Sequence, residues 1–125
     1  MQKIAIVDDA ADNRDFLYHL LRDEYVVFTY DSGEDALNHI RRDSPDLIIM
    51  DIRMRGIDGI AVLERIRSDS RLAAVPVIAL TANAMLGDRE KLLAAGFDEY
   101  LPKPILQIEH FVNTVRRLLS QRESK

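Results

Sequence analysis

Short apolar runs alternate along the chain with stretches whose apolar residues recur at helical spacing. Ile4-Ala5-Ile6-Val7 is a compact β-prone run, after which Phe16, Leu17, Leu20 and Leu21 mark one face of a helix. Val26 to Tyr30 reads as a second strand. Ser32 is placed to cap a second helix that carries acids in its first turn and Ala36, Leu37 and Ile40 behind them. Leu47-Ile48-Ile49-Met50 predicts a third strand ending at Asp51. Asp58-Gly59 opens a third helix with Ile60, Leu63 and Ile66 inward. Val75 to Leu80 is the fourth strand, with Pro76 at its entrance, where a missing N–H is tolerated. A helix over 85–95 is expected to end at Gly96, and Phe97 to Leu101 holds a short fifth strand. Pro104 is suited to the first turn of a last helix whose stripe is Ile105, Ile108, Phe111, Val112, Val115, Leu118 and Leu119.

Strands alternating with helices in this way predict an α/β fold, a doubly wound five-stranded parallel sheet covered on both faces. The runs at 4–7, 47–50 and 77–80 are almost wholly apolar, as strands buried on both sides must be. The length, 125 residues, suits one domain, predicted over 1–121 with a frayed, disordered tail at 122–125.

Composition narrows the function mainly by exclusion. With no cysteine, disulfides and thiolate metal sites are ruled out, and the histidines at 19, 39 and 110 lie too far apart in sequence to suggest a metal site. A net charge of −4 argues against direct nucleic-acid binding. No apolar run approaches the ~20 residues that a membrane span needs, and Met1-Gln2-Lys3 leads straight into the first strand. A soluble, cytoplasmic protein without membrane insertion is the expectation.

Candidate chemistry collects after the strands. In open α/β sheets, ligands bind beyond the carboxyl ends of the strands. Asp8 and Asp9 follow the first strand, Asp51 the third, Thr81 the fourth and Lys103 the fifth. Singly, each has a bland explanation: Asp-Asp as a capping turn, Thr as a structural residue, Lys-Pro as an ordinary loop. Together they place three carboxylates, a hydroxyl and an ammonium at one rim. Two like charges ~4 Å apart repel by about 4 kcal/mol at an effective dielectric near 20, so the group calls for protons or a cation. Oxygen-only ligands favour Mg2+ or Mn2+. A hard cation with a hydroxyl and a Lys suits phosphoryl transfer. No G-x-G-x-x-G follows the first strand, which disfavours a dinucleotide enzyme.

Five segments carry a resemblance across essentially the whole chain: Ile6-Val7-Asp8-Asp9, Ile49-Met50-Asp51-Ile52-Arg53-Met54, Ile57-Asp58-Gly59, Leu80-Thr81-Ala82-Asn83-Ala84 and Tyr100-Leu101-Pro102-Lys103-Pro104. In this order and spacing the sequence resembles the receiver domains of two-component response regulators. The resemblance implies a flavodoxin-like (βα)5 fold with strand order 2-1-3-4-5. It implies Asp51 as phosphoacceptor, and Mg2+ (with Mn2+ able to substitute) held by Asp8, Asp9, Asp51 and the backbone carbonyl of Arg53. It further implies Thr81 and Lys103 on the phosphoryl group, Thr81 and Tyr100 as switch residues, and a cis Lys103–Pro104 bond. The donor would be a histidine kinase or a histidine phosphotransfer protein, with the first helix near Asn13 to Leu17 facing it. The output surface would be that of the fourth helix, fifth strand and fifth helix, in a monomer or a phosphorylation-dependent dimer. Such a domain is a signalling switch rather than a turnover enzyme.

The alternatives are a degenerate receiver that binds partners without phosphorylation and an aspartate-nucleophile phosphatase. The second is disfavoured because Arg53 stands where those enzymes place a second carboxylate. One departure from the family pattern is Arg55, where many receivers carry Pro; a solvated side chain is the simplest reading of it, and a contact to a partner or a phosphate the other.

Overall fold

The computed structural model describes residues 1–82 and 88–123. Strand and helix alternate throughout: β1 (Lys3–Val7), α1 (Ala11–Leu21), β2 (Val26–Tyr30), α2 (Gly33–Asp43), β3 (Leu47–Asp51), α3 (Gly59–Ser68), β4 (Val77–Thr81), α4 (Asp88–Ala95), β5 (Glu99–Pro102) and α5 (Ile108–Glu123). The strands pair in parallel in the order β2-β1-β3-β4-β5, as expected.

Side-chain alternation on the strands divides the interior into two cores. Ala5, Val7, Ile48, Met50, Val77 and Ala79 point to one face, where Ala36 and Ile40 of α2, Val62, Leu63 and Ile66 of α3 and Leu92 of α4 cover them. Ile4, Ile6, Leu47, Ile49, Ile78 and Leu80 point to the other, against Leu17 and Leu21 of α1 and Phe111, Val115, Leu118 and Leu119 of α5. The residues of β3 and β4 are buried throughout, which is why their sequences run apolar without alternation.

The predicted caps hold. The Ser32 hydroxyl accepts from Asp35 N–H at 3.0 Å and the Asp58 carboxylate from Ala61 N–H at 2.9 Å. Gly96 closes α4 with φ at +116°, the left-handed geometry glycine tolerates best.

Some boundaries move. β4 begins at Val77 because Pro76 cannot donate to the ladder; its carbonyl instead accepts from Ile48 N–H at 2.9 Å. β5 starts at Glu99 rather than Phe97, whose side chain is buried against α3 and α4. The last helix begins at Ile108 and not at Pro104: the Lys103–Pro104 bond is cis, as anticipated, and residues 104–107 form an irregular approach. Ile105 still packs against the core, but Ile108, predicted to point inward, is 44% exposed. Helix α5 runs to Glu123, so residues 122 and 123, left to the tail by the sequence, are helical. The predicted first turn of α4, residues 85–87, and Asn83 lie outside the described residues.

Candidate functional site

Each strand of the sheet's centre ends in, or is directly followed by, a polar residue held by the apolar run before it. Asp51 and Thr81 are the last residues of β3 and β4, 4% and 5% exposed, so the strands themselves fix where these side chains begin. Asp8 and Asp9 follow β1, which lies between β2 and β3 where the strand order reverses. Lys103 follows β5, tied there by its N–H to the Thr81 carbonyl at 2.9 Å.

The five residues proposed from sequence do reach one rim. Carboxylate oxygens of Asp8, Asp9 and Asp51 lie within 4.8 Å of one another. Lys103 Nζ sits 3.2 Å from Asp51 Oδ2 and 3.3 Å from Asp8 Oδ2. Arg53 presents its N–H to the Asp51 carboxylate, which puts its peptide at the pocket's edge, while its side chain is exposed. Gly59 is required here: a Cβ on it would stand 2.6 Å from the Asp51 carbonyl oxygen and 2.9 Å from Ile52 Cα. Any larger residue would push α3 off the end of β3.

Electrostatics follow from this crowding. Burial, and then the neighbouring Asp8 carboxylate, push the Asp51 pKa from 3.8 up to about 6, against the pull of Lys103. Burial alone would lower the Lys103 pKa, but Asp8 and Asp51 outweigh it and raise it, so Lys103 stays charged. One half-buried ammonium shared between two buried carboxylates leaves the pocket short of positive charge. Three carboxylates offering oxygen atoms only, without nitrogen or sulfur, fit a hard divalent cation such as Mg2+.

Several contacts escaped the sequence reading. Asp8 accepts from Ala10 N–H at 2.9 Å and from the Asn13 side-chain amide, while Arg14 Nη1 donates to the Asp8 carbonyl at 2.8 Å. Asn13 and Arg14 thus orient Asp8 from α1; only their closeness to Asp8 in sequence hinted at it. Glu34 of α2 accepts from Ile57 N–H at 3.0 Å across the loop after β3, a contact that no local spacing predicts.

Tyr100 is half-buried against the α2–α4 core. Phe16, assigned by spacing to the inner face of α1, is 41% exposed; Leu17 and Leu21 alone of that set are buried. With Ala10, Asp12, Asn13, Ala82, Lys103, Pro104 and Ile105, Phe16 lines a cavity of about 460 Å³ beside the rim. No described helix is long and apolar enough to cross a membrane.

Comparison with known proteins agrees with this architecture. The family model of the response regulator receiver domain matches residues 4–116. The chain is 34% identical over 119 residues to the polar-differentiation response regulator DivK of Brucella ovis, covering 94% of this chain and 96% of that one. Among solved structures it resembles the receiver domain of a sensor histidine kinase from Pseudomonas aeruginosa PAO1 (TM-score 0.85, 35% identity, 95% and 98% of the two chains), which has a magnesium ion coordinated in the active-site cleft. It also resembles the Vibrio cholerae chemotaxis protein CheY4, with a TM-score of 0.87 and 28% identity over 94% and 98% of the two chains.

Proposed function

Because the chain belongs to the response regulator receiver domain family of two-component signalling, we propose that it is a phosphoacceptor switch that takes a phosphoryl group on Asp51. The observation that carries this reading is the contact of one cation, Lys103, with the buried Asp51 and Asp8, whose carboxylates stand with that of Asp9 at one point.

A carboxylate with a pKa near 6 is mostly ionised at neutral pH and so available as a nucleophile. An Asp51 oxygen attacks phosphorus in line; the bond from phosphorus to a phosphohistidine nitrogen breaks, and the imidazole departs with that electron pair. Lys103 moves from pairing with Asp51 to pairing with a phosphoryl oxygen, and the Thr81 hydroxyl donates to another. Asp8, Asp9, Asp51 and the Arg53 carbonyl are the residues that would hold Mg2+. Bound there, the ion supplies neutralisation of charge on the transferring oxygens.

Phosphorylation then places a charge of order −1 to −2 at the rim. Thr81 and Tyr100 carry the response to the α4-β5-α5 surface by shifting a two-state population, and that surface meets the downstream protein. The donor is a histidine kinase or a histidine phosphotransfer protein, which places the domain in the cytoplasm. The exposed Phe16 and the cavity beside Lys103 support docking of the donor against α1, within reach of Asp51. Turnover is not the output; the acyl phosphate is a signal that hydrolyses.

The test is intact-mass measurement after incubation with acetyl phosphate. The parent should gain one phosphoryl mass in the presence of Mg2+, lose the gain in chelator, and show none as Asp51→Asn. A parent that never gains mass, while folded and with Mg2+ present, would mark it as a receiver that works by binding alone.

A further inference from the structure

Arg55 is 90% exposed, yet it is not simply solvated. Its N–H donates to Asp9 Oδ2 at 3.0 Å, and its own Nε lies 3.6 Å from the same oxygen. The loop that presents it is held on its far side. Gly56 turns the chain at φ +79°, and Glu34 accepts from Ile57 N–H at 3.0 Å. The backbone of residue 55 is thereby fixed opposite Asp9, and the guanidinium has a short reach to it. Asp8 and Asp51 already share Lys103, so each of the three clustered carboxylates has a cation of the chain beside it.

We propose that Arg55 is a built-in competitor for the divalent cation at Asp9, one that the ion must displace before it can seat. The inference rests on the reading of Asp9 as a cation ligand. Two effects of the guanidinium act with the same sign. In the empty pocket the guanidinium already lies beside Asp9 and offsets part of its charge. A divalent cation held at Asp9 would repel the guanidinium and compete with it for the carboxylate. Both lower cation affinity, so the resting domain responds to the free divalent cation at a higher concentration than its carboxylates alone would set. The pair is exposed, so the effect is modest and sensitive to salt.

Isothermal titration with Mn2+ near neutral pH and at low ionic strength tests this on the whole chain. Arg55→Gln, which keeps the N–H and removes the charge, should bind Mn2+ roughly two- to fivefold more tightly than the parent, the size expected for an exposed pair. That advantage should vanish at ~0.5 M salt, where the screening length falls to a few ångströms. Arg71→Gln removes the same charge between α3 and β4, at the opposite end of the sheet, and should bind as the parent does. Thermal melting of both variants should match the parent, since both side chains are exposed. Arg55→Gln binding no more tightly than the parent would overturn the proposal, as would an equal gain in Arg71→Gln. A parent that takes up no Mn2+, or Asp9→Asn binding as tightly as the parent, would overturn the assignment of Asp9 as a ligand and this inference with it.

Discussion

The two rims of the sheet are built from the same residue types and balance their charges differently. At the amino ends of the strands, Asp98 accepts from Val77 N–H at 2.8 Å and from Arg67 Nη2 at 2.9 Å. Arg67 also donates to the carbonyls of Ala73, Val75 and Gly96, while Asp46 accepts from Lys3 N–H at 2.8 Å and stands 3.7 Å from Arg122. Asp98 and Asp46 each have an arginine of their own and a backbone donor. At the carboxyl ends, Asp8 and Asp51 are more deeply buried and share one ammonium, and Asp9 meets Arg55, whose side chain is exposed. The first arrangement ties α3, β4, β5 and α5 together. The second leaves two buried carboxylates with one ammonium between them, short of positive charge. The proposed function uses the rim where two buried carboxylates share one ammonium.

Breaking the balanced rim should cost the most stability. Arg67→Met would take the arginine away from three carbonyls and from Asp98, and should lower unfolding free energy by roughly 2–4 kcal/mol in a denaturant titration. Mg2+ affinity should be unchanged at temperatures where the variant is folded, since the Arg67 hydrogen bonds among the described residues all lie at the amino-end rim.

The incomplete rim should show itself in pH dependence. Asp51 has a folded pKa of about 6, raised from 3.8. Its contribution to stability is complete below pH 3.8 and is lost as pH rises through about 6. Without divalent cation, stability should therefore fall across that window, by at most about 3 kcal/mol. Lys103 is also raised, and its contribution is lost only above its ordinary 10.5, outside the window. Glu99 and Asp43 are lowered and act with the opposite sign at the acid end, so the difference between the parent and Asp51→Asn isolates the contribution of Asp51. An identical pH profile in the two proteins would contradict the account.

A smaller effect is expected from Asp9→Asn. It removes one of three clustered carboxylates at the most exposed corner of the pocket, and should weaken Mg2+ binding roughly tenfold or more with no loss of stability. Calorimetry and thermal melting read the two quantities separately.

Why the strands and the strand-end residues were legible follows from the same physics. A strand buried on both faces must be apolar, so β1, β3 and β4 announced themselves and so did the polar residue ending each. The last helix was misplaced because Pro104 suits a helix start and a cis turn equally well, and its neighbour Ile105 is apolar in either role. Phe16 was unreadable for a related reason: spacing puts it beside Leu17, but only the tertiary position of α1 decides which of the two meets the sheet. Glu34 and Arg67 act on backbone groups 23 and 29 residues away, and such partners leave no local pattern.

The contrast between the rims can be tested in one titration, following backbone amide NMR signals as Mg2+ is added. Saturable shifts should concentrate at residues 8, 9, 51–55, 81 and 103, with those of residues 46, 67, 98 and 122 unmoved. Shifts centred on the second group, or no saturable change at all, would contradict a cation-holding pocket at the carboxyl ends of the strands.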